Sequence, residues 1–139
     1  YEYISLPYFD CWGLLMPNNC DLAKKNVIQR EDLCSVPLIF HRRIGLQREI
    51  ALWAQTEVEH MDIAATYNVI NGNPSQFVKS GLGYFLTSQY LAAVGIDPDV
   101  CFRPLFPQLE LHYAFVWKRY PIFNKASKTF LNEFKNILS

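Results

Sequence analysis

The sequence predicts an α/β fold with a mostly parallel sheet and helices on its faces. Short apolar runs of strand length alternate with stretches whose apolar residues recur at helical spacing. Turn signals such as Pro17-Asn18-Asn19 and Asn71-Gly72-Asn73-Pro74 separate these segments. Hydrophobic residues make up 50% of the 139 residues and aromatic residues 15%, enough for one well-filled core.

Taken in order, residues 11–16 (Cys-Trp-Gly-Leu-Leu-Met) read as a buried strand stopped by Pro17. A polar loop through Asp21-Leu22-Ala23 and an acidic pair, Glu31-Asp32, before Leu33 lead to a second apolar strand at 37–41. Leu46, Ile50 and Trp53, with Ala51 and Ala54 beside them, predict an amphipathic helix over 45–58. Residues 61–67 are strand-like. Asn73, Pro74 and Gln76 then form a helix-start signal, with Asn73 as N-cap, Pro74 at the first helical position and Gln76 able to close a capping box. Gly81 is the expected C-terminal stop.

A strand at 83–87 and a short helical piece at 90–94, halted by Gly95 and Pro98, come next. Strands are expected at 100–105 and 111–117. In the latter Leu111, Tyr113, Phe115 and Trp117 give one strongly aromatic face. Ala126, Phe130, Leu131, Phe134, Ile137 and Leu138 form an apolar stripe on a helix over about 124–138, opposite Lys125, Lys128, Glu133 and Lys135.

Composition excludes several function classes. The 13 basic and 13 acidic residues cancel, and the basic residues are spread out, with no cluster denser than an adjacent pair such as Arg42-Arg43. A chain that grips phosphates by itself is usually basic over one face, so no direct nucleic-acid binding is expected. No apolar run reaches the roughly 18 residues that span a bilayer, and no membrane partner is expected. The opening Tyr1-Glu2-Tyr3-Ile4 has neither a basic region nor a signal-like core, and without Met it is expected to begin inside a longer gene product. Cys11, Cys20, Cys34 and Cys101 match no CxxC spacing and read as reduced, packed thiols of a cytoplasmic protein.

An enzyme has little to stand on. There is no Gly-x-Ser-x-Gly elbow around Ser80 and no Gly-rich phosphate loop with Lys. Glu57-Val58-Glu59-His60 is not a His-Glu-x-x-His motif, and His60 and His112 share no metal-like spacing. Neither a metal nor a cofactor is expected.

The block from Trp12 to Phe40, with Trp12-Gly13-Leu14-Leu15-Met16-Pro17, Asp21-Leu22-Ala23, Glu31-Asp32-Leu33 and Pro37-Leu38-Ile39-Phe40, resembles the opening of the second lobe in the effector-binding (substrate-binding) domain of LysR-type transcriptional regulators. Ala64 to Asn68, Phe77 to Tyr84 with its Gly81-Leu82-Gly83 turn, Arg103-Pro104-Leu105, and Val116 to Arg119 before the final helix resemble later blocks in the same order. Pro17-Asn18-Asn19-Cys20 departs from the family's more charged loop.

The resemblance implies a periplasmic-binding-protein-like (type II) lobe with a mixed, mostly parallel sheet. Residues 10–100 would form the second lobe of the effector-binding domain. Residues 1–9 and 101–139 would supply the crossover and closing elements of an incomplete first lobe. The winged helix-turn-helix and linker helix would be absent, so DNA would be bound only through a missing N-terminal domain. The implied function is sensing a small-molecule effector within a homo-oligomer. The alternative is a solute-binding protein of a transport system with the same two-lobed fold.

Ligands in such sheets bind at the carboxyl ends of strands. That rule singles out the turns 40–45 and 67–75. Phe40, His41 and Arg42 lie on the first, where Arg42 and Arg43 would suit an anionic effector by bidentate pairing, although solvated turn residues are the more ordinary reading of exposed Arg. Only one of Phe40 and His41 can face a given side of the sheet. Thr66, Tyr67 and Asn68 end the next strand, and Asn73 and Ser75 lie at a helix start, where plain capping competes with ligand binding. Phe9 and Asp10 sit at the first crossover, with packing the simpler role for Phe9. The aromatic face of 111–117 and the stripe of 126–138 would lack their first-lobe partners and are expected to drive self-association.

Overall fold

The protein is described here by a computed structural model that covers residues 1–68, 73–92, 97–120 and 122–138. In chain order its elements are β1 (Glu2–Pro17), α1 (Arg30–Leu33), β2 (Leu38–His41), α2 (Ile44–Trp53), β3 (Ile63–Tyr67), α3 (Pro74–Lys79), β4 (Tyr84–Ser88), β5 (Val100–Pro104), β6 (Glu110–Trp117) and α4 (Lys125–Leu138). Short 3-10 turns at Asp21–Lys24 and Val58–His60 complete them. The chain divides into two units, Asp10–Leu111 and Tyr1–Phe9 with His112–Ser139.

In the 10–111 unit the strands lie in the order β3-β2-β4-β1-β5. β2 pairs in parallel with β3 and β4, whereas β1 runs antiparallel to both β4 and β5. Four strands therefore share one direction and β1 opposes them, which is the mixed, mostly parallel sheet expected. Leu14, Leu15 and Met16 are buried in succession because β1 lies between β4 and β5 and is covered on both faces. Leu14 and Met16 join Leu38, Phe40, Leu86 and the helix residues Leu33, Ile50 and Ala51 on one face. Leu15 joins Ile39, Phe85, Phe102 and Val78 of α3 on the other. Gly13 is needed where β1 meets β5, since a Cβ there would collide with the Phe102 ring and the Arg103 carbonyl.

The unit includes 101–111. Val100–Pro104 pairs along β1 from Gly13 to Pro17, and the Trp12 amide donates to the Leu109 carbonyl at 3.0 Å. These hydrogen bonds tie the segment to the sheet of the 10–111 unit.

Three local expectations are corrected. α2 stops at Trp53, not 58, because Gln55 takes a left-handed conformation with φ 57°. The Thr56 amide reaches the Ala51 carbonyl at 2.9 Å and the Gln55 amide reaches Leu52 at 3.1 Å, which together form a Schellman stop. Asn73 does flank α3, and its carbonyl accepts from the Gln76 amide at 3.2 Å, but its side chain makes no capping bond and the capping box is not formed. β1 begins at Glu2, well before residue 11, with Ile4 and Leu6 half-buried between exposed neighbours. Gly81 at φ 76° ends α3 as expected. Of the helical piece at 90–94, residues 93 and 94 lie outside the described residues, and Tyr90–Ala92 form a turn.

In the second unit β6 and α4 build an aromatic cluster. Phe115 lies 5.7 Å from Phe130 and 5.0 Å from Phe134, and the Lys135 ammonium sits 5.1 Å from the Trp117 ring centre. Leu131 is buried, while Val116, Phe130 and Ile137 remain exposed.

Candidate functional site

β2 and β3 are in register through His41 and Tyr67, and β2 meets β4 through Ile39 and Phe85. Alternation then puts His41, Tyr67 and Thr87 on one face, at the carboxyl ends of three adjacent parallel strands. The rings pack accordingly. His41 meets Tyr67 edge-on at 5.1 Å, and Tyr67 stacks on Phe85 at 4.5 Å. The Tyr67 hydroxyl donates to the Leu86 carbonyl at 3.1 Å. Burial raises the Tyr67 phenol above its ordinary value, opposed by a hydrogen bond from Thr87.

His41 is held at two points. Its Nδ1 accepts the Arg43 amide at 3.1 Å, and its carbonyl accepts the side-chain amide of Gln47 at 3.0 Å. Burial holds the imidazole below its ordinary value, and the charges of Arg43 and Arg42 push the same way. The Arg42 amide donates to the Tyr67 carbonyl at 2.9 Å and extends the β2–β3 ladder by one rung. Its exposed side chain makes no hydrogen bond or ion pair among the described residues. Arg43 is the exposed N-cap residue of α2.

The other candidates separate. Phe40 is wholly buried in the opposite core, so it is unavailable to a ligand; of the Phe40/His41 pair, His41 faces the site. Thr66 pairs with Phe40 and therefore points away from Tyr67. Asn68 and Asn73 are exposed on either side of 69–72, the part of the 67–75 turn that lies outside the described residues. Asp10 is 2% exposed, and its carboxylate accepts the amides of Cys11 at 2.8 Å and Tyr90 at 3.2 Å. It therefore anchors the turn after β4. In the second unit, Phe9 packs its ring 6.1 Å from that of His112.

Sequence reasoning missed Gln47 and Thr87. Gln47 shares the buried face of α2 with Ile50, Ala51 and Ala54, at positions i, i+3, i+4 and i+7. A lone amide inside an apolar stripe was the readable signal. Among the described residues no group of three or more His, Cys, Asp or Glu could hold a metal ion. A groove of about 390 Å³ in the second unit, lined by Phe115, Trp117, Phe123 and Phe130, is apolar and carries none of these groups.

No family model matches the sequence, and no curated protein does. Solved structures do match. HinK, a LysR family transcriptional regulator from Pseudomonas aeruginosa, aligns over 99% of this chain and 49% of its own with a TM-score of 0.72 at 15% identity. The CcmR regulatory domain from Synechocystis PCC6803, solved with 2-PG, aligns over 99% of this chain and 68% of its own with a TM-score of 0.62 at 15% identity.

The fold is that of LysR-type regulatory domains. The effector-binding domain of QuiR, solved with shikimate, shares it over 94% of this chain and 62% of its own, with a TM-score of 0.64 at 16% identity. The chain thus spans about half the length of HinK. No helix among the described residues of this LysR-type fold is long and apolar enough to cross a membrane.

Proposed function

We propose that this chain is the effector-sensing portion of a LysR-type transcriptional regulator. The carrying observation is the grouping of His41, Tyr67 and Thr87, with Arg42 and Arg43 adjacent in sequence, at the carboxyl ends of β2, β3 and β4. That is where sheets of this kind take ligands. The 10–111 unit corresponds to the second lobe, and the other unit to closing elements of the first. Arg42 and Arg43, two permanent cations, favour an anionic effector. The role is sensing, without catalysis or cofactor, in the cytoplasm. DNA contact belongs to another part of the full-length regulator.

An effector acts in such a device only through a difference in affinity between lobe arrangements, which then biases DNA binding. The exposed Val116, Phe130 and Ile137 support self-association of the chain. A purely monomeric species at high concentration in light scattering would count against it. The effector reading is tested by thermal shift with shikimate, 2-PG, benzoate and inorganic phosphate, beside Arg42→Ala. A ligand at 100 times its dissociation constant adds about 2.7 kcal/mol of apparent stability. The expected result is a shift that Arg42→Ala removes. A shift that survives the substitution discards Arg42, and no shift with any of the four refutes the anionic site.

A further inference from the structure

We infer that His41 is locked as the Nε2–H tautomer, so that it offers a hydrogen-bond donor to an acceptor oxygen of the ligand at the ends of β2–β4. The tautomer follows from one contact. A backbone amide can only donate, so the Nδ1 atom that receives the Arg43 N–H at 3.1 Å carries a lone pair, and in the neutral ring the proton resides on Nε2.

One further contact holds the residue's backbone and another its ring. The Gln47 side chain pins the His41 carbonyl, and Tyr67 meets the imidazole at an interplanar angle of 77°. Rotating the ring to present Nδ1 would forfeit the Arg43 bond. Among the described residues Nε2–H has no acceptor, and His41 is only partly buried, so the proton is available to a ligand. The adjacent Arg42 and Arg43 guanidinium groups are also donors without acceptor capacity. The ligand chemistry that satisfies such a set is an oxyanion, either carboxylate or phosphate. An amidinium or ammonium would bring donor against donor and charge against like charge.

This specificity role rests on the effector reading above, but the tautomer does not, and the two are separable by experiment. Long-range proton–nitrogen correlation spectra of the full chain at about pH 8, above the ordinary imidazole value, read which ring nitrogen is protonated. His41→Gln assigns the signal among the three histidines. The expected result is a protonated Nε2 and a bare Nδ1. A protonated Nδ1, or rapid averaging between the two, overturns the inference.

The same sample is then titrated separately with benzoate, inorganic phosphate and benzamidine. Benzoate or phosphate is expected to move the Nε2 signal and to bind about tenfold more weakly to His41→Leu, with part of the loss recovered in His41→Gln, which keeps a donor. Benzamidine is expected to leave it unmoved. An anion that binds His41→Leu as well as wild type, or a benzamidine-driven shift at Nε2, refutes the donor role. If neither anion binds while the tautomer is as stated, the effector reading fails and the ligand contact fails with it. The locked tautomer then survives only as a device that shapes the β2–α2 turn.

Discussion

Replacing Gln47 by Leu tests whether the β2–α2 turn is held from inside. Gln47 is 8% exposed, and its amide donates to the His41 carbonyl at 3.0 Å. Leu has nearly the same volume and keeps the apolar face of α2 filled beside Ile50 and Ala51, so no sizeable cavity is created. What is lost is one hydrogen bond, of about 1 kcal/mol net. What is added is a partly buried carbonyl without that partner, at about 1–3 kcal/mol where water cannot reach it. The apolar gain of Leu over an amide offsets part of this, leaving a cost of about 1–2 kcal/mol.

Urea unfolding measures the cost as a lowered midpoint at an unchanged slope. A second readout is site-specific: the His41 ring signals should shift or broaden in Gln47→Leu, because the carbonyl that orients the residue is released. Stability within about 0.5 kcal/mol of wild type, together with unmoved His41 signals, would refute the claim that Gln47 organises the site.

Three other perturbations probe the frame. Gly13→Ala should cost about 1–3 kcal/mol in urea unfolding, since its Cβ meets a backbone carbonyl as well as the Phe102 ring, and Phe102→Leu should relieve only part of that cost. Gln55→Gly should stabilise by about 0.5–1 kcal/mol by removing the left-handed penalty, net of glycine's extra chain entropy; no gain would mean that the φ 57° stop is not strained. Because burial and the Arg43 and Arg42 charges depress the His41 value, with Tyr67 the titratable group packed against it from β3, the unfolded chain takes up its proton first. The stability contributed by His41 is therefore complete above its ordinary 6.5 and falls as pH drops toward the lower folded value, so His41→Gln should flatten that part of a urea-midpoint profile.

Much of the frame was legible because it depends on local pattern. The apolar runs at 11–16, 37–41 and 83–87 are strands because their residues are covered on both faces, and Gly81 ends α3 because glycine takes a positive φ without strain. The end of α2 was not legible, because its left-handed stop is a glutamine and nothing in local propensity marks Gln55 as one. Asp10 sits at the first crossover, where a carboxylate suits a cleft wall or a structural anchor equally in sequence. Its burial and its bonds to the Cys11 and Tyr90 amides decide for an anchor, and the Tyr90 amide is 80 residues away in sequence.

The composition of the site itself turns on a register shift that sequence cannot display. β2 and β3 pair Leu38 with Ile63 but Ile39 with Ala65, so one extra residue, Ala64, is accommodated between the first and second pairs. In an unshifted ladder His41 would lie beside Thr66, and Tyr67 would project from the face occupied by Phe40. With the shift, Ile63 faces the core of Leu38 while Ala65 and Tyr67 face the side of Ile39 and His41. A one-residue slip exchanges the two faces of a strand, and a bulge makes that exchange part-way along. The bulge thus selects Tyr67 over Thr66 as the partner of His41. Deleting Ala64 should remove the bulge yet keep Ala65 opposite Ile39 and Tyr67 beside His41, whereas inserting one alanine between Ala65 and Thr66 should bring Thr66 beside His41 and remove the Tyr67 ring from its stacking on Phe85. Loss of the Tyr67-dependent ring-current shifts in the His41 spectrum of the insertion variant would report the exchange, and an unchanged His41 signal in that variant, folded, would show that the pairing register does not set the site.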